Sequence, residues 1–404
     1  MNPLNVQEKT AEDNSIYSLD YFPFLPITGT QYNNPGVIQI NIENQDEYFL
    51  PHKSWIEIEA DIVKTSNERY VADDKITLVN NGILHCFSNI KYHLGGNEIE
   101  SLNHPGYATL MLGLLKYDRS FSGLSQCWSL DDSLTVENNN GFNQRKGYIF
   151  NANNAENIGK VSFAIDLEHI FGFAEDYDKV ILGMRHSLQF NRKANDNDAI
   201  FRSDIEHAGK VVIQKITWWM ARVTPSIPQI NRLRKLILED KVTLDASFRV
   251  RQCLMVSFPL NATSFTWNLG VKTEKPRYIV IALQTGKDDN QQVNASLFNH
   301  CNITNIKVIT NSTECPSIDI NSDFIANRIT GWYKRLIEFK MSFYGVDKMV
   351  SCTGIDAKDF KTLYPLFVFD ISRQKESTEI SRVVDISVRM TTSAGVAAKP
   401  MLLH

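Results

Sequence analysis

The chain writes one short pattern twice. Residues 86–96 read CFSNIKYHLGG and residues 301–310 read CNITNIKVIT, so Asn-Ile-Lys recurs 216 positions on (307 − 91), each time after a His-Cys pair, His85-Cys86 and His300-Cys301. A tripeptide alone recurs by chance, but three more elements follow in the same order. Apolar residues at Tyr107, Leu110, Met111, Leu114 and Leu115 have the spacing of an amphipathic helix, with Asn103 as N-cap and Pro105 in its first turn. Ile329, Trp332, Tyr333, Leu336 and Ile337 repeat that stripe 222 positions later (329 − 107). Phe163-Ala164-Ile165-Asp166 is echoed by Phe367-Val368-Phe369-Asp370, and an alternating segment closes each half, at 180–190 and 382–390. Drifting offsets are what two copies of one fold show when strands are kept and loops change. A period near 200 residues is a domain duplication, not a solenoid.

Most apolar segments alternate with period two, which predicts strands in SWIEIEADIV (54–63), KITLVNNGIL (75–84), VVIQKITWW (211–219), TLDASFRVRQ (243–252) and RYIVIAL (277–283). The expected division is an N-terminal arm at 1–34, a first sandwich at 35–200, a second at 201–392 with a helix near 228–240, and a tail at 393–404. The polar stretch 194–210 supplies the boundary, and VIQ at 37–39 and at 212–214 would open the two copies. Phe22, Phe24 and Leu25 are the expected anchors of the arm on a neighbouring subunit.

With 404 residues, 43% of them hydrophobic and 10% aromatic, the chain can build two cores. A net charge of −4 argues against a nucleic-acid coat. Six cysteines without a C-x-x-C pair, no secretory leader and no apolar run near the ~18 residues a membrane helix needs point to reduced thiols and synthesis in cytoplasm or nucleus. Four N-x-S/T sequons (Asn261, Asn294, Asn302, Asn311) read as chance in an Asn-rich chain.

About eight short strands and one late helix per half predict an all-β chain of two tandem eight-stranded jelly-roll sandwiches with short inserted helices. Helices do not alternate with strands, which disfavours paired α/β domains. Immunoglobulin-like sandwiches stay open, although their Cys…Trp…Cys signature is missing.

FGFAEDYDKVILGMRHSLQFNR (171–192), KITWWMARVTPSIPQI (215–230) and KPRYIVIALQTGK (275–287) carry a resemblance to a family. Over about residues 35–392 the chain resembles the double jelly-roll major capsid proteins of tailless icosahedral DNA viruses, virophages and virus-like Polinton elements, including members encoded in invertebrate genomes. The resemblance implies a non-enzymatic, self-assembling subunit. It would form homotrimers, then an icosahedral shell in a virion, meeting penton or minor capsid proteins, with no specific nucleic-acid recognition and no transmembrane segment. A carbohydrate-binding or adhesion protein, or a domesticated host protein that kept the fold without the shell, are the alternatives.

No residue is assigned as catalytic, cofactor-binding or metal-ligating. The His-Cys pairs have zinc's preferred donors but fall in separate halves, so buried strand residues are the better reading. There is no H-x-H pair, P-loop, dinucleotide fingerprint or nucleophile elbow; Phe121-Ser122-Gly123-Leu124-Ser125 lacks the second glycine such an elbow needs. Arg232, Arg234 and Lys235 make the most basic short cluster and read as the solvated side of a helix whose apolar face is Ile230, Leu233 and Ile237. Trp218 and Trp219 are adjacent on a strand, so one ring should enter the core while the other meets the partner sandwich or a neighbouring subunit, a sugar being the lectin alternative.

Overall fold

The computed structural model describes residues 15–403 apart from 28, 30–31, 151–154, 204–205, 243–244, 260, 270–275, 311–312, 346–353, 373–384 and 397–398. Its strands in chain order are β1 (Ile16–Phe24), β2 (Gly36–Ile42), β3 (Tyr48–Lys64), β4 (Ile76–Leu78), β5 (Phe87–Leu94), β6 (Asn97–Asn103), β7 (Lys160–Asp166), β8 (His186–Arg192), β9 (Ile200–Arg202) and β10 (Gly209–Pro225). They continue with β11 (Cys253–Met255), β12 (Ala262–Asn268), β13 (Tyr278–Gln284), β14 (Ile303–Thr310), β15 (Thr313–Cys315), β16 (Phe367–Asp370), β17 (Ile386–Val396) and β18 (Lys399–Leu403). The helices are α1 (Pro105–Lys116), α2 (Asn140–Phe150), α3 (Leu167–Ile170), α4 (Gly172–Asp176), α5 (Ile227–Arg234), α6 (Thr330–Tyr344) and α7 (Ala357–Thr362).

The strands form two sandwiches with one connectivity. In the first, sheet β1-β10-β3-β7 faces sheet β2-β8-β5-β6; in the second, β11-β18-β13-β16 faces β12-β17-β14-β15. Each four-stranded sheet of the first copy therefore has a counterpart of the same order in the second. A small ribbon, β4-β9, is added to the first. This is the double eight-stranded jelly roll expected from the sequence.

The repeated Asn-Ile-Lys falls on equivalent strands. β5 lies between β8 and β6, as β14 lies between β17 and β15. Both ladders slip by one residue just before the motif, between Phe87 and Asn89 and between Ile303 and Asn305. A bulge kept in one place in both copies is a feature of the fold rather than a defect. The lysines also do the same work. Lys91 Nζ donates to Glu98 Oε2 at 2.7 Å, and Lys307 Nζ donates to Glu314 Oε2 at 2.6 Å, seven residues on in each case.

The division of the chain differs from the expected one. β10, placed by the sequence in the second sandwich, pairs with β1 and β3 and completes the first. Its counterpart is β18, so the VIQ of β2 and the VIQ of β10 are not equivalent positions. The first sandwich runs from Ile16 to Pro225 and the second from Cys253 to Leu403, with α5 in the connection rather than inside the second. Ile16–Phe24 of the expected arm is an edge strand, while residues 1–14 lie outside the described residues. The expected tail holds β18, hydrogen-bonded between β11 and β13 with Met401, Leu402 and Leu403 buried. Its small-residue lead-in hid a three-residue apolar end that only two flanking strands make into a core strand.

Three predicted strands fall short. The closing strand of the first copy starts at His186, leaving Ile181 a single bridge to Phe49; the segment 75–84 is a strand only at Ile76–Leu78, and its apolar end turns into a 3-10 turn at Gly82–Cys86; and residues 245–252 run without a ladder up to β11. The helical stripes hold. Every residue of α1 except Lys116 is buried, capped by His104 in the left-handed region rather than by Asn103, which ends β6. In α6, Trp332, Leu336 and Phe339 are buried, with the Trp332 ring edge-on to Phe367 and near Phe369 of β16.

Candidate assembly site

The side chains the sequence singled out do not converge. His85 and Cys86 are buried in a turn ahead of β5, in the first sandwich, whereas His300 stacks flat on Phe324 at 4.5 Å ahead of β14, in the second. His300 Nδ1 accepts the Asn302 amide at 3.0 Å. Burial, with the nearby Lys193 charge adding to it, drives His85 down to about 3, and burial with the Asp196 charge lifts the Cys86 thiol well above its ordinary range, so neither is prepared to act as base or thiolate. Ser122 spends its hydroxyl on Gln144 Oε1 at 3.2 Å. Among the described residues no three His, Cys, Asp or Glu side chains gather as metal ligands do, and no helix is long and apolar enough to cross a membrane. Of the sequons, Asn294 is buried and donates its side-chain amide to Asp131 Oδ2 at 3.0 Å. Asn311 lies outside the described residues.

What the fold assembles instead is a polar seam between the sandwiches. Asp131, in the loop between α1 and α2, is fully buried. Its Oδ1 takes Arg145 Nη2 from α2 at 2.8 Å, and its Oδ2 takes Ser296 Oγ at 2.8 Å and Asn294 from the second sandwich. Tyr364 of the second sandwich donates its hydroxyl to the Asp131 carbonyl at 2.9 Å, and Arg145 Nε reaches the Leu78 carbonyl at 2.9 Å. A buried carboxylate is tolerable only when its lone pairs are met, and here both oxygens are.

A second clamp centres on Glu100. Glu100 of β6 is buried and accepts three backbone N–H groups: Gly172 at 3.1 Å, Phe173 at 2.9 Å and Arg251 at 2.9 Å. Burial raises its carboxyl above the usual range, with Arg251 and the three amides opposing. Beside it Glu175 bonds Arg251 Nη2 at 2.5 Å and Lys116 Nζ at 3.1 Å; burial opposes its ionised form, yet the two cations keep its carboxyl below the usual value. Arg249 Nε donates to Asp176 at 2.8 Å while its guanidinium lies 4.0 Å over Phe343 of α6. Lys340 of α6, almost fully buried, pairs with Asp118, and Arg119 meets Asp359 of α7 at 2.8 Å. The late helices α1 and α6 touch across this seam. The sequence carried no sign of it, because each partner lies 70 or more residues from those it binds across the joint.

The outer face of sheet β1-β10-β3-β7 is the other notable surface. Trp218 is fully buried, edge-on to Tyr92 at 6.1 Å. Trp219 points the opposite way, as alternation requires, and stacks at 5.9 Å on Trp55 of β3, which meets Tyr21 of β1 at 4.5 Å. That ring does not meet the partner sandwich; its indole donates to Glu57 Oε2 at 2.7 Å. Of the expected anchors, Phe22 lies under the Arg222 guanidinium at 3.7 Å, Phe24 packs on the core, and Leu25 is exposed.

A family model for the double jelly roll-like domain matches residues 76–404. The chain belongs to that family. No curated protein matches its sequence. Among solved structures, a chain of the Sputnik virophage superimposes with a TM-score of 0.56 at 10% identity, covering 99% of this chain and 88% of the other. The Faustovirus major capsid protein gives 0.55 at 8% identity, covering 98% and 90%. The mavirus major capsid protein gives 0.50 at 12% identity, covering 100% and 91%. At such identities the likeness is one of fold, and it extends over both double jelly-roll sandwiches.

Proposed function

We propose that this double jelly roll-like protein is a structural, self-assembling subunit, the major capsid protein of a DNA virus or an endogenous virus-like element, with no catalytic task. The observation that carries this is the pair of sandwiches of identical strand order held across one seam by hydrogen bonds from Asn294, Ser296 and Tyr364 to the buried Asp131 and by the Lys340–Asp118 ion pair. Two like sandwiches held rigidly in one chain give a trimer six similar towers and hence a near-hexagonal outline, which tiles a shell. The fold shared with the Faustovirus and mavirus major capsid proteins supports that reading. Contacts around a threefold axis are head-to-tail and close after three copies. On this reading the protein works in a virion, with penton or minor capsid proteins as further partners.

Sedimentation and negative-stain imaging of the purified chain test it. Trimers with a hexagonal outline, or closed shells, are expected at micromolar concentration. A protein that stays monomeric while retained on a glycan column would replace this reading with the adhesion alternative.

A further inference from the structure

A third set of contacts joins the two sandwiches. Between β8 and β10 the first sandwich grips Asp289 and Gln291 of the second. Asp198 Oδ1 accepts the Asp289 N–H at 3.1 Å, and Asn197 Nδ2 donates to Asp289 Oδ1 at 2.6 Å. Lys193 Nζ holds the other Asp198 oxygen at 2.9 Å. Gln291 is buried and commits its whole side-chain amide. Its Nε2 donates to Asn197 Oδ1 at 2.8 Å and to the Gly209 carbonyl at 2.7 Å, and its Oε1 accepts the Gly209 N–H at 2.9 Å.

This loop is fastened to the turn Gly82–Cys86. The Lys193 N–H donates to the Cys86 carbonyl at 3.0 Å, Arg192 Nη1 donates to the same oxygen at 2.9 Å, and the Val79 N–H donates to the Ala199 carbonyl at 2.9 Å. Inside the turn lies His85, 1% exposed, and neither of its ring nitrogens has a hydrogen-bond partner among the described residues. Its ring meets Tyr107 edge-on at 4.5 Å, and a Cβ added at Gly106 would stand 2.4 Å from it, so the ring is closely held. Buried polar atoms are ordinarily paired, and an exception calls for a reason. A neutral imidazole tolerates such a place. An imidazolium, with two N–H donors and a charge, does not. The charged or titratable groups around it are Lys193 and Asp198 from the loop, His104 and Tyr107 from the start of α1, and its neighbour Cys86.

We propose that His85 is the trigger of an acid-operated latch between the sandwiches, its protonation releasing Asn197 and Asp198 from Asp289 and Gln291. The carboxylate facing the new charge is that of Asp198, already shared between Lys193 and the Asp289 amide. Turning it towards His85 takes it from the second sandwich, and letting water reach His85 lifts the loop instead. Lys193 repels the new charge in both cases. Burial, with Lys193 adding to it, holds His85 at about 3 in the latched form, and an opened loop returns the ring to about 6.5. The latch is therefore firm above 6.5 and loses its hold as pH falls. Burial opposes the ionised form of Asp198, yet Lys193 keeps its carboxyl below the usual value, so Asp198 titrates beneath this window. With the open ring at about 6.5, the open fraction should be about eightfold larger at about pH 5.5 than at about pH 7. The latch belongs to a single chain and does not rest on self-assembly.

The test is hydrogen–deuterium exchange of the full chain at those two pH values, corrected for the intrinsic exchange rate. Protection in peptides covering 196–203 and 286–292 should fall about eightfold on acidification, while peptides around Asp131 keep theirs. His85→Leu and His85→Phe each replace the ring by an apolar side chain that does not titrate, and two shapes are used so that a packing defect in one leaves the other to decide. Thermal melts at pH 7 check that each is folded. In a folded variant the latch peptides should exchange equally at both pH values. An unchanged pattern in the parent overturns the inference, and so does an equal loss around Asp131, which would be general acid loosening. A response kept in either folded variant overturns it too, since His104 or another group is then the trigger.

Discussion

Replacing Asp131 by asparagine changes one oxygen to nitrogen in a fully buried side chain and strips the negative charge from the inter-sandwich clamp. Arg145 stays where it is, 1% exposed, with its guanidinium charge no longer balanced. Breaking a buried pair by removing one partner costs about 3–5 kcal/mol, because the remaining charge keeps its desolvation penalty. The new amide also points two donors at groups that were themselves donating, Ser296 Oγ and Asn294 Nδ2. One acceptor survives, which holds the total near the middle of that range, about 4 kcal/mol. In urea, with a slope of about 3 kcal/mol/M, the midpoint should fall by about 1 M. Asp46→Asn, on an exposed turn, should stay within about 0.5 kcal/mol of the parent. Because Asp131 joins the sandwiches, the loss should also split one transition into two. Asp131→Asn/Arg145→Met should recover about 2 kcal/mol relative to the summed single changes, the mark of direct coupling. An Asp131→Asn midpoint indistinguishable from that of Asp46→Asn would refute the clamp.

Acid should weaken the fold well above carboxylate pH. Burial lowers His85 and His169 to about 3 and His186 to about 4, so unfolding takes up protons below the ordinary histidine value near 6.5. The stabilisation these neutral rings give is present above 6.5 and falls by up to ~1.4 kcal/mol per pH unit for each as pH drops. Glu100, raised by burial, works the other way and favours the fold only below its own raised value. A urea midpoint flat from pH 7 to 5 would contradict the histidine account. Leu110→Ala or Trp332→Ala should cost about 2–5 kcal/mol in denaturant melts through a cavity, whereas Lys334→Ala should be nearly silent. Lys116→Ala should not be silent, since Lys116 holds Glu175. Truncation at residue 398 removes β18 from between β11 and β13, so cooperative unfolding of the second sandwich should disappear in calorimetry.

Local pattern was enough for the duplication. Alternation along β3 and β10, the helical stripes of α1 and α6, and the recurring Asn-Ile-Lys and F-x-x-D all survive in the structure, because each depends on which face of one element is apolar. Even the Lys91–Glu98 and Lys307–Glu314 pairs were within reach, since seven residues spanning a tight turn place both side chains on one hairpin. The inward and outward tryptophans followed from period two.

Tertiary structure decided which sheet each strand joined. A strand's hydrogen-bond partner is not written in its own residues, so β10 was read with the segment after it, although it pairs with β3 more than 140 positions before. Met401-Leu402-Leu403 is too short to announce a strand, and becomes the centre of a sheet only when β11 and β13 arrive on either side. The clamps show the same limit. Asp131 and Glu100 look like any surface acid in sequence, and only packing one sandwich against the other removes water and makes Arg145, Ser296 and the Arg251 amide their necessary partners. Alternation is a property of a single strand, whereas burial of a charge is a property of everything that closes over it.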